Sequence, residues 1–134
     1  MKVAVILGTR PEIIKLSPVI KQLNKKSTSV IFTGQHYDHN MSMRFIDQLG
    51  LDKPNYSMKI SKTNSNLQIS EIIKKLSSIF EIEKPENVIV QGDTNTVLAA
   101  GIASLKCNIS VSHIESGLRS NDWRMPEEHN RIIV

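Results

Sequence analysis

The chain has 134 residues, 40% of them apolar and 22% charged, with a net charge of +4 and a single cysteine. Those proportions suit one soluble globular core and exclude a disordered or fibrous chain. No apolar run approaches the roughly 20 residues that span a bilayer. Cys107 alone cannot close an internal disulfide, so the cytoplasm is the expected compartment.

The opening run "KVAVIL" (2–7) is continuously apolar and closed by Gly8, which predicts a strand buried on both faces rather than a signal peptide. Pro11 then stands where a helix can begin, with Glu12 in its first turn, favourable to the helix dipole. Ile13, Ile14, Leu16, Val19, Ile20 and Leu23 form the stripe of that helix, which Pro18 is expected to kink. A second strand is predicted over 29–33, and a short helix over "MSMRFIDQL" with Gly50 as its stop. "NYSMKI" reads as a weak third strand.

The next helix runs from Asn66 on Leu67, Ile69, Ile72, Ile73, Leu76, Ile79 and Phe80, and Pro85 stops it. "NVIVQ" (87–91) and "ISVSHI" (109–114) are the fourth and fifth strands, separated by the small-residue helix "TNTVLAAGIASLK". "MPEEHNRIIV" begins a further helix at Pro126. Strands alternating with helices predict βαβ units and a doubly wound, mostly parallel sheet of the Rossmann-like kind. The sequence stops inside that last helix, which suggests a piece of something longer.

In an open α/β sheet, ligands bind in the crevice outside the carboxyl ends of the strands. Here the strand exits are "GTRPE", "GQHYDH", "GDTNT" and "HIESGLR". All are polar or ionisable, and the fold should bring them to one edge. "GTRPEIIK" opens a helix whose free N–H groups offer an anion site, with Arg10 and Lys15 beside it. The alternative is an acid-paired Arg10 and a solvated Lys15. Asp93 is a carboxylate at a strand tip; the alternative is that it or Thr94 caps the next helix.

His36, Asp38 and His39 form a loose cluster that, with Asp93, His113 or His129, has no specific metal spacing. Residues 113–131 hold four carboxylates and three arginines. Glu115, Glu127 and Glu128 there are either proton-transfer groups, with at most one of the last two facing the crevice, or members of a salt-bridged loop. The scattered lysines read as solvated surface and not as a nucleic-acid patch.

"GTRPEIIK", "QGDTNT", "HIESGLRS" and "MPEEHNR", in this order, closely resemble the non-hydrolysing UDP-N-acetylglucosamine 2-epimerases, and the resemblance covers the whole chain. It implies the N-terminal half of a two-domain, glycosyltransferase-B-like fold, with a C-terminal UDP-binding domain absent from this chain. It further implies a homodimer when full length, no metal and no NAD. The reaction implied is inversion of C2 of a UDP-sugar: UDP is eliminated to give 2-acetamidoglucal, then added back after C2 is reprotonated on the opposite face.

By motif, Asp93, Glu115 and Glu127 resemble the family's acid/base carboxylates. Arg10, Lys15, His36, Glu128 and Arg131 resemble its substrate-binding or supporting groups. Two departures are Ser116, where many members have alanine, and Asp38, where several have glutamine or glutamate near a second, activating substrate site. Alternatives are a 2-epimerase of a modified UDP sugar, a hydrolysing epimerase, a metal hydrolase on His36, Asp38 and His113, and a non-catalytic nucleotide-sugar binding module.

Overall fold

A computed structural model describes residues 1–34, 39–61 and 64–134. The elements, in chain order, are β1 (Val3–Leu7), α1 (Arg10–Gln22), β2 (Thr28–Phe32), α2 (His39–Gln48), β3 (Tyr56–Ser57), α3 (Ser65–Glu83), β4 (Asn87–Gln91), α4 (Asn95–Lys106), β5 (Ser110–Ile114) and α5 (Pro126–Ile133). A 3-10 turn, Lys25–Ser27, leads into β2. The strands pair in the order β3-β2-β1-β4-β5, and every pairing is parallel. This is the half-sheet of a doubly wound fold, with β1 at its centre and the chain winding outwards first to one side and then to the other.

The alternation within β1 explains why its apolar run is unbroken. Val3, Val5 and Leu7 pack with Ile13 and Leu16 of α1, Phe32 of β2 and Ile46 of α2. Ala4 and Ile6 pack on the opposite face with Ile72 and Leu76 of α3 and Val97 and Ala100 of α4. Each such Leu or Ile, fully removed from water, contributes roughly 1.5–3 kcal/mol to burial. Helices on both faces therefore require strands that are apolar on both faces.

Local chemistry sets the boundaries. Asn64 caps α3 by accepting from the Leu67 N–H (3.0 Å). At the other end Lys84 takes a left-handed conformation (φ 47°), and Pro85 forbids continuation. α1 accommodates Pro18 and continues to Gln22.

The third strand is far shorter than the run "NYSMKI". Only Tyr56 and Ser57 pair, against Ile31 and Phe32. Asn55 takes over the ladder before them: its N–H donates to the Val30 carbonyl (2.8 Å), and its Oδ1 accepts from the Val30 N–H (2.7 Å). Among the described residues, no helix is long and apolar enough to cross a membrane.

Candidate active site

The strands are parallel, so their carboxyl ends share one rim, and the ionisable exits meet there. Lys15 on α1 pairs with Glu115, just beyond β5, at 2.8 Å. The second carboxylate oxygen of Glu115 accepts from Nε2 of Gln91, the last residue of β4 (2.7 Å). Asp93, two residues beyond β4, is ion-paired with Arg131 of α5. The Arg131 charge also acts on Glu115. Groups from α1, β4, β5 and α5 thus gather at one rim, Lys15, Glu115 and Gln91 as one bonded network and Asp93 with Arg131 as a pair.

Glu115 adopts a left-handed backbone conformation, φ 66°. For a residue with a long side chain this costs about 1–2 kcal/mol. The hydrogen bond from Lys15, followed by its charge and the Gln91 contact, holds the Glu115 carboxyl below the ordinary glutamate value against a smaller opposing effect of burial. At neutral pH Glu115 is therefore an ionised carboxylate, oriented by Lys15 and Gln91.

The turn that carries Asp93 is held from several sides. Gly92 has φ 85°, a conformation that favours glycine. Its N–H donates to the Ile114 carbonyl (3.0 Å), and its carbonyl accepts from Nε2 of His113 (2.6 Å). The Asp93 carbonyl accepts from Nδ2 of Asn130 on α5 (2.8 Å). Of the two capping readings, the structure selects Thr94: it is the N-cap residue of α4 and its side chain accepts from the Val97 N–H. That leaves the Asp93 carboxylate for Arg131.

The loop after β1 differs from its sequence reading in one respect. Glu12 is buried, 2% exposed, and its Oε2 accepts from the N–H groups of Gly8 (2.5 Å) and Thr9 (2.8 Å). Two of the N–H groups expected to meet a ligand anion are therefore taken by the helix's own first turn. The cations of this segment are Arg10 and Lys15. Gly8 is needed for the close approach of α4, since a Cβ there would lie 2.3 Å from Oγ1 of Thr96. Arg10, the first residue of α1, has its guanidinium 4.8 Å from the centre of the Phe45 ring on α2, a cation–π contact that turns it towards α2.

Between β5 and α5 the concentrated charges divide into two sets. Arg124 forks onto Asp122 through two hydrogen bonds of 2.9 Å, and Arg119 donates to the carbonyls of Ser116 and Leu118 (both 2.7 Å). These groups are satisfied within the loop. Glu115 and Arg131 instead reach outwards, to Lys15 and Asp93.

The adjacent glutamates also separate. Glu128 is 3% exposed, and its Oε2 accepts from both the N–H and the hydroxyl of Ser120 (2.6 Å each), which together hold its carboxyl below the usual range. Glu127 is exposed and stands four residues before Arg131, on the same face of α5. Of the pair, Glu127 is exposed and Glu128 braces the loop.

His36 and Asp38 lie outside the described residues, so their expected places in a substrate or metal site are not described. Among the described residues, no three His, Cys, Asp or Glu side chains group as metal ligands do. His129 is engaged with the Trp123 carbonyl (2.6 Å) and stacks on the Trp123 ring. Cavities of about 360 and 230 Å³ lie at the other rim, against Thr28, Asn55 and Pro85 near the amino ends of the strands. They hold none of the network.

Gln91, Asn130 and the buried side of Glu12 were not singled out as site residues in the sequence. Gln91 had a usable signal: it is the polar residue that closes the apolar run 88–90 of a parallel strand.

The sequence pattern that defines the UDP-N-acetylglucosamine 2-epimerases matches residues 19–134. The chain belongs to that family. A UDP-N-acetylglucosamine 2-epimerase of Methanococcus maripaludis is 48% identical over 133 residues, covering 99% of this chain and 36% of that protein. A UDP-2,3-diacetamido-2,3-dideoxy-D-glucuronate 2-epimerase of Pseudomonas aeruginosa is 41% identical, covering all of this chain and 39% of that one. The crystal structure of the Methanocaldococcus jannaschii UDP-GlcNAc 2-epimerase, in complex with UDP-GlcNAc and UDP, superposes with a TM-score of 0.93 at 45% identity, over 99% of this chain and 37% of that one. The chain thus spans little more than a third of the length of these family members.

Proposed function

We propose that this chain carries the N-terminal, proton-transferring half of an enzyme that inverts C2 of a UDP-N-acetylhexosamine, interconverting UDP-GlcNAc and UDP-ManNAc. The observation that supports this reading is the gathering of Lys15, Glu115 and Gln91 in one bonded set, and of Asp93 and Arg131 in a second, at the shared rim of three strand exits. A C2 hydrogen with no neighbouring carbonyl is not acidic, so its removal must be coupled to departure of the anomeric oxygen. In the proposed step a carboxylate takes the C2 proton as the C1–O bond to UDP breaks, giving UDP and 2-acetamidoglucal. Reprotonation of C2 from the opposite face, with UDP re-adding at C1, completes the inversion.

Asp93, Glu115 and Glu127 are assigned to proton transfer. Arg10 and Lys15 are assigned to the developing diphosphate charge, where fixed cations are most effective. Arg131 orients Asp93, His36 contacts substrate, and Glu128 supports the loop. Most uridine and diphosphate contacts are assigned to a second domain, in a cytoplasmic homodimer.

The test is epimerisation in deuterium oxide by the full-length protein. Deuterium at C2 of the product is expected, and hydrogen fully retained at C2 would count decisively against the proposal. Residues 1–134 alone are expected to be inactive, and measurable turnover would overturn the division of labour between domains.

A second reading, a 2-epimerase of a modified UDP sugar, is favoured by the 41% identity to the Pseudomonas aeruginosa enzyme. It keeps the same chemistry and changes the substituents recognised. Comparing turnover of UDP-GlcNAc with that of a 2,3-diacetamido uronate separates the two.

A further inference from the structure

Glu12 is the most deeply buried ionisable group of the described residues at this rim, and the proposed reaction gives it no role. It lies at 2% exposure, so it cannot touch a substrate. Its two oxygens face different parts of the molecule. Oε2 accepts the Gly8 and Thr9 N–H groups at the exit of β1 (2.5 and 2.8 Å). Oε1 accepts a short hydrogen bond from the hydroxyl of Thr94, at the exit of β4. Thr94 is the residue after Asp93, and Arg10 and Lys15 belong to the helix that Glu12 itself opens. One side chain therefore joins the loop bearing the anion-binding cations to the turn bearing Asp93.

We infer that Glu12 is a positioning residue, a strut that fixes Arg10 and Lys15 relative to Asp93 so that departure of the anomeric oxygen and proton transfer at C2 occur in one geometry. This rests on the proposed epimerase reading and deepens it. The donor set explains why a carboxylate is used. Two N–H groups converge on one oxygen and a hydroxyl on the other, and a carboxylate accepts from all three, whereas a glutamine presents an N–H₂ group to one side. The other holders of the Asp93 turn, His113 and Asn130, come from β5 and α5. Glu12 ties it to α1.

The test uses the full-length protein with UDP-GlcNAc as substrate, through kcat, KM and C2 deuterium wash-in. Glu12→Gln keeps the shape and disturbs the donor pattern. Thr94→Val removes the far end of the strut and leaves the Gly8 and Thr9 contacts, and Thr94→Ser retains the hydroxyl. Misplacement of reacting groups by a fraction of an ångström to an ångström costs on the order of 10- to 100-fold in rate. Glu12→Gln and Thr94→Val are thus each expected to lower kcat by about that factor, with KM changed by less than about 3-fold, while Thr94→Ser stays within about 3-fold of wild type.

Because both variants break the same link, the double variant should be no slower than the worse single one. Wild-type kcat in Glu12→Gln or in Thr94→Val, or losses that multiply in the double variant, would overturn the inference while leaving the epimerase reading intact if the wild type washes deuterium into C2. A wild type that turns over without wash-in would overturn both.

Discussion

Arg131, in the last turn of α5, is ion-paired with Asp93 across 38 residues of sequence, and its charge is felt by Glu115 and Glu128 as well. The guanidinium is nearly enclosed, at 11% exposure, and Asp93 retains 27%. Arg131 is thus the direct partner of Asp93 and only a minor influence on Glu115 and Glu128, whose main partners are Lys15 and Ser120. Arg131→Met would strand the Asp93 charge in a partly desolvated position. Breaking a fully buried pair from one side costs about 3–5 kcal/mol, and the residual exposure of Asp93 brings the expected loss to roughly 2–3 kcal/mol. Activity should fall by at least about 10²-fold, as for loss of a preorganised electrostatic group. Adding Asp93→Asn should recover part of the melting temperature and none of the turnover. Thermal melts and C2 exchange assays on the two variants check both halves.

Glu115 carries the opposite tension, a left-handed backbone retained with a charged side chain. Glu115→Gly relieves a strain of about 1–2 kcal/mol and gives up a partly exposed ion pair worth roughly 0–1 kcal/mol, together with the Gln91 contact. The variant is expected to melt near the wild-type temperature and to lose turnover. A large fall in melting temperature would show instead that Glu115 serves mainly to hold the loop.

The Lys15–Glu115 pair also predicts a pH dependence. The folded-state value of Glu115 lies below its ordinary value of 4.5, with the Lys15 hydrogen bond as the largest cause. Its stabilisation is thus fully present above 4.5 and disappears as pH falls through the lower folded value. Lys15→Met removes that cause. The variant should lose less melting temperature than wild type between pH 6 and pH 3, by an amount corresponding to no more than about 1 kcal/mol, because the lysine side chain is 48% exposed. Equal acid sensitivity in the two proteins would mean that the pair is not maintained in solution.

The architecture was legible because periodicity reports burial. "NVIVQ" is β4 residue for residue, and the shared rim followed from parallel strands alone. The short β3 was not legible, since pairing at a sheet edge depends on what the neighbouring strand offers, and Asn55 uses its side chain in place of a ladder residue. Direction was the other hidden quantity. Glu12 on α1 resembles any acid in a first turn, and nothing in its spacing says that it folds back over Gly8 and reaches Thr94, 82 residues away. The same holds for Arg131, whose partner is set by the docking of α5 against α4, where Val134 lies against Gly101. Sequence pattern locates a residue on an element, but the packing of two elements decides which polar groups meet.

Glu127 and Glu128 offer the sharpest separation of chemistry from support, because they are neighbours with identical side chains. Glu128 accepts two hydrogen bonds from Ser120 and is 3% exposed. Glu128→Ala would leave the Ser120 N–H and hydroxyl short of an acceptor, at a cost of about 1–3 kcal/mol. Glu128→Gln, which keeps one carbonyl oxygen, should recover much of that loss. Glu127 is exposed at the opening of α5, and Glu127→Gln should leave the melting temperature within about 0.5 kcal/mol of wild type. If Glu127 transfers a proton, that same change should lower kcat by about 10²- to 10⁴-fold. A Glu127→Gln enzyme with near-normal turnover would remove Glu127 from the proton-transfer set and leave Asp93 and Glu115 to serve the two faces of C2.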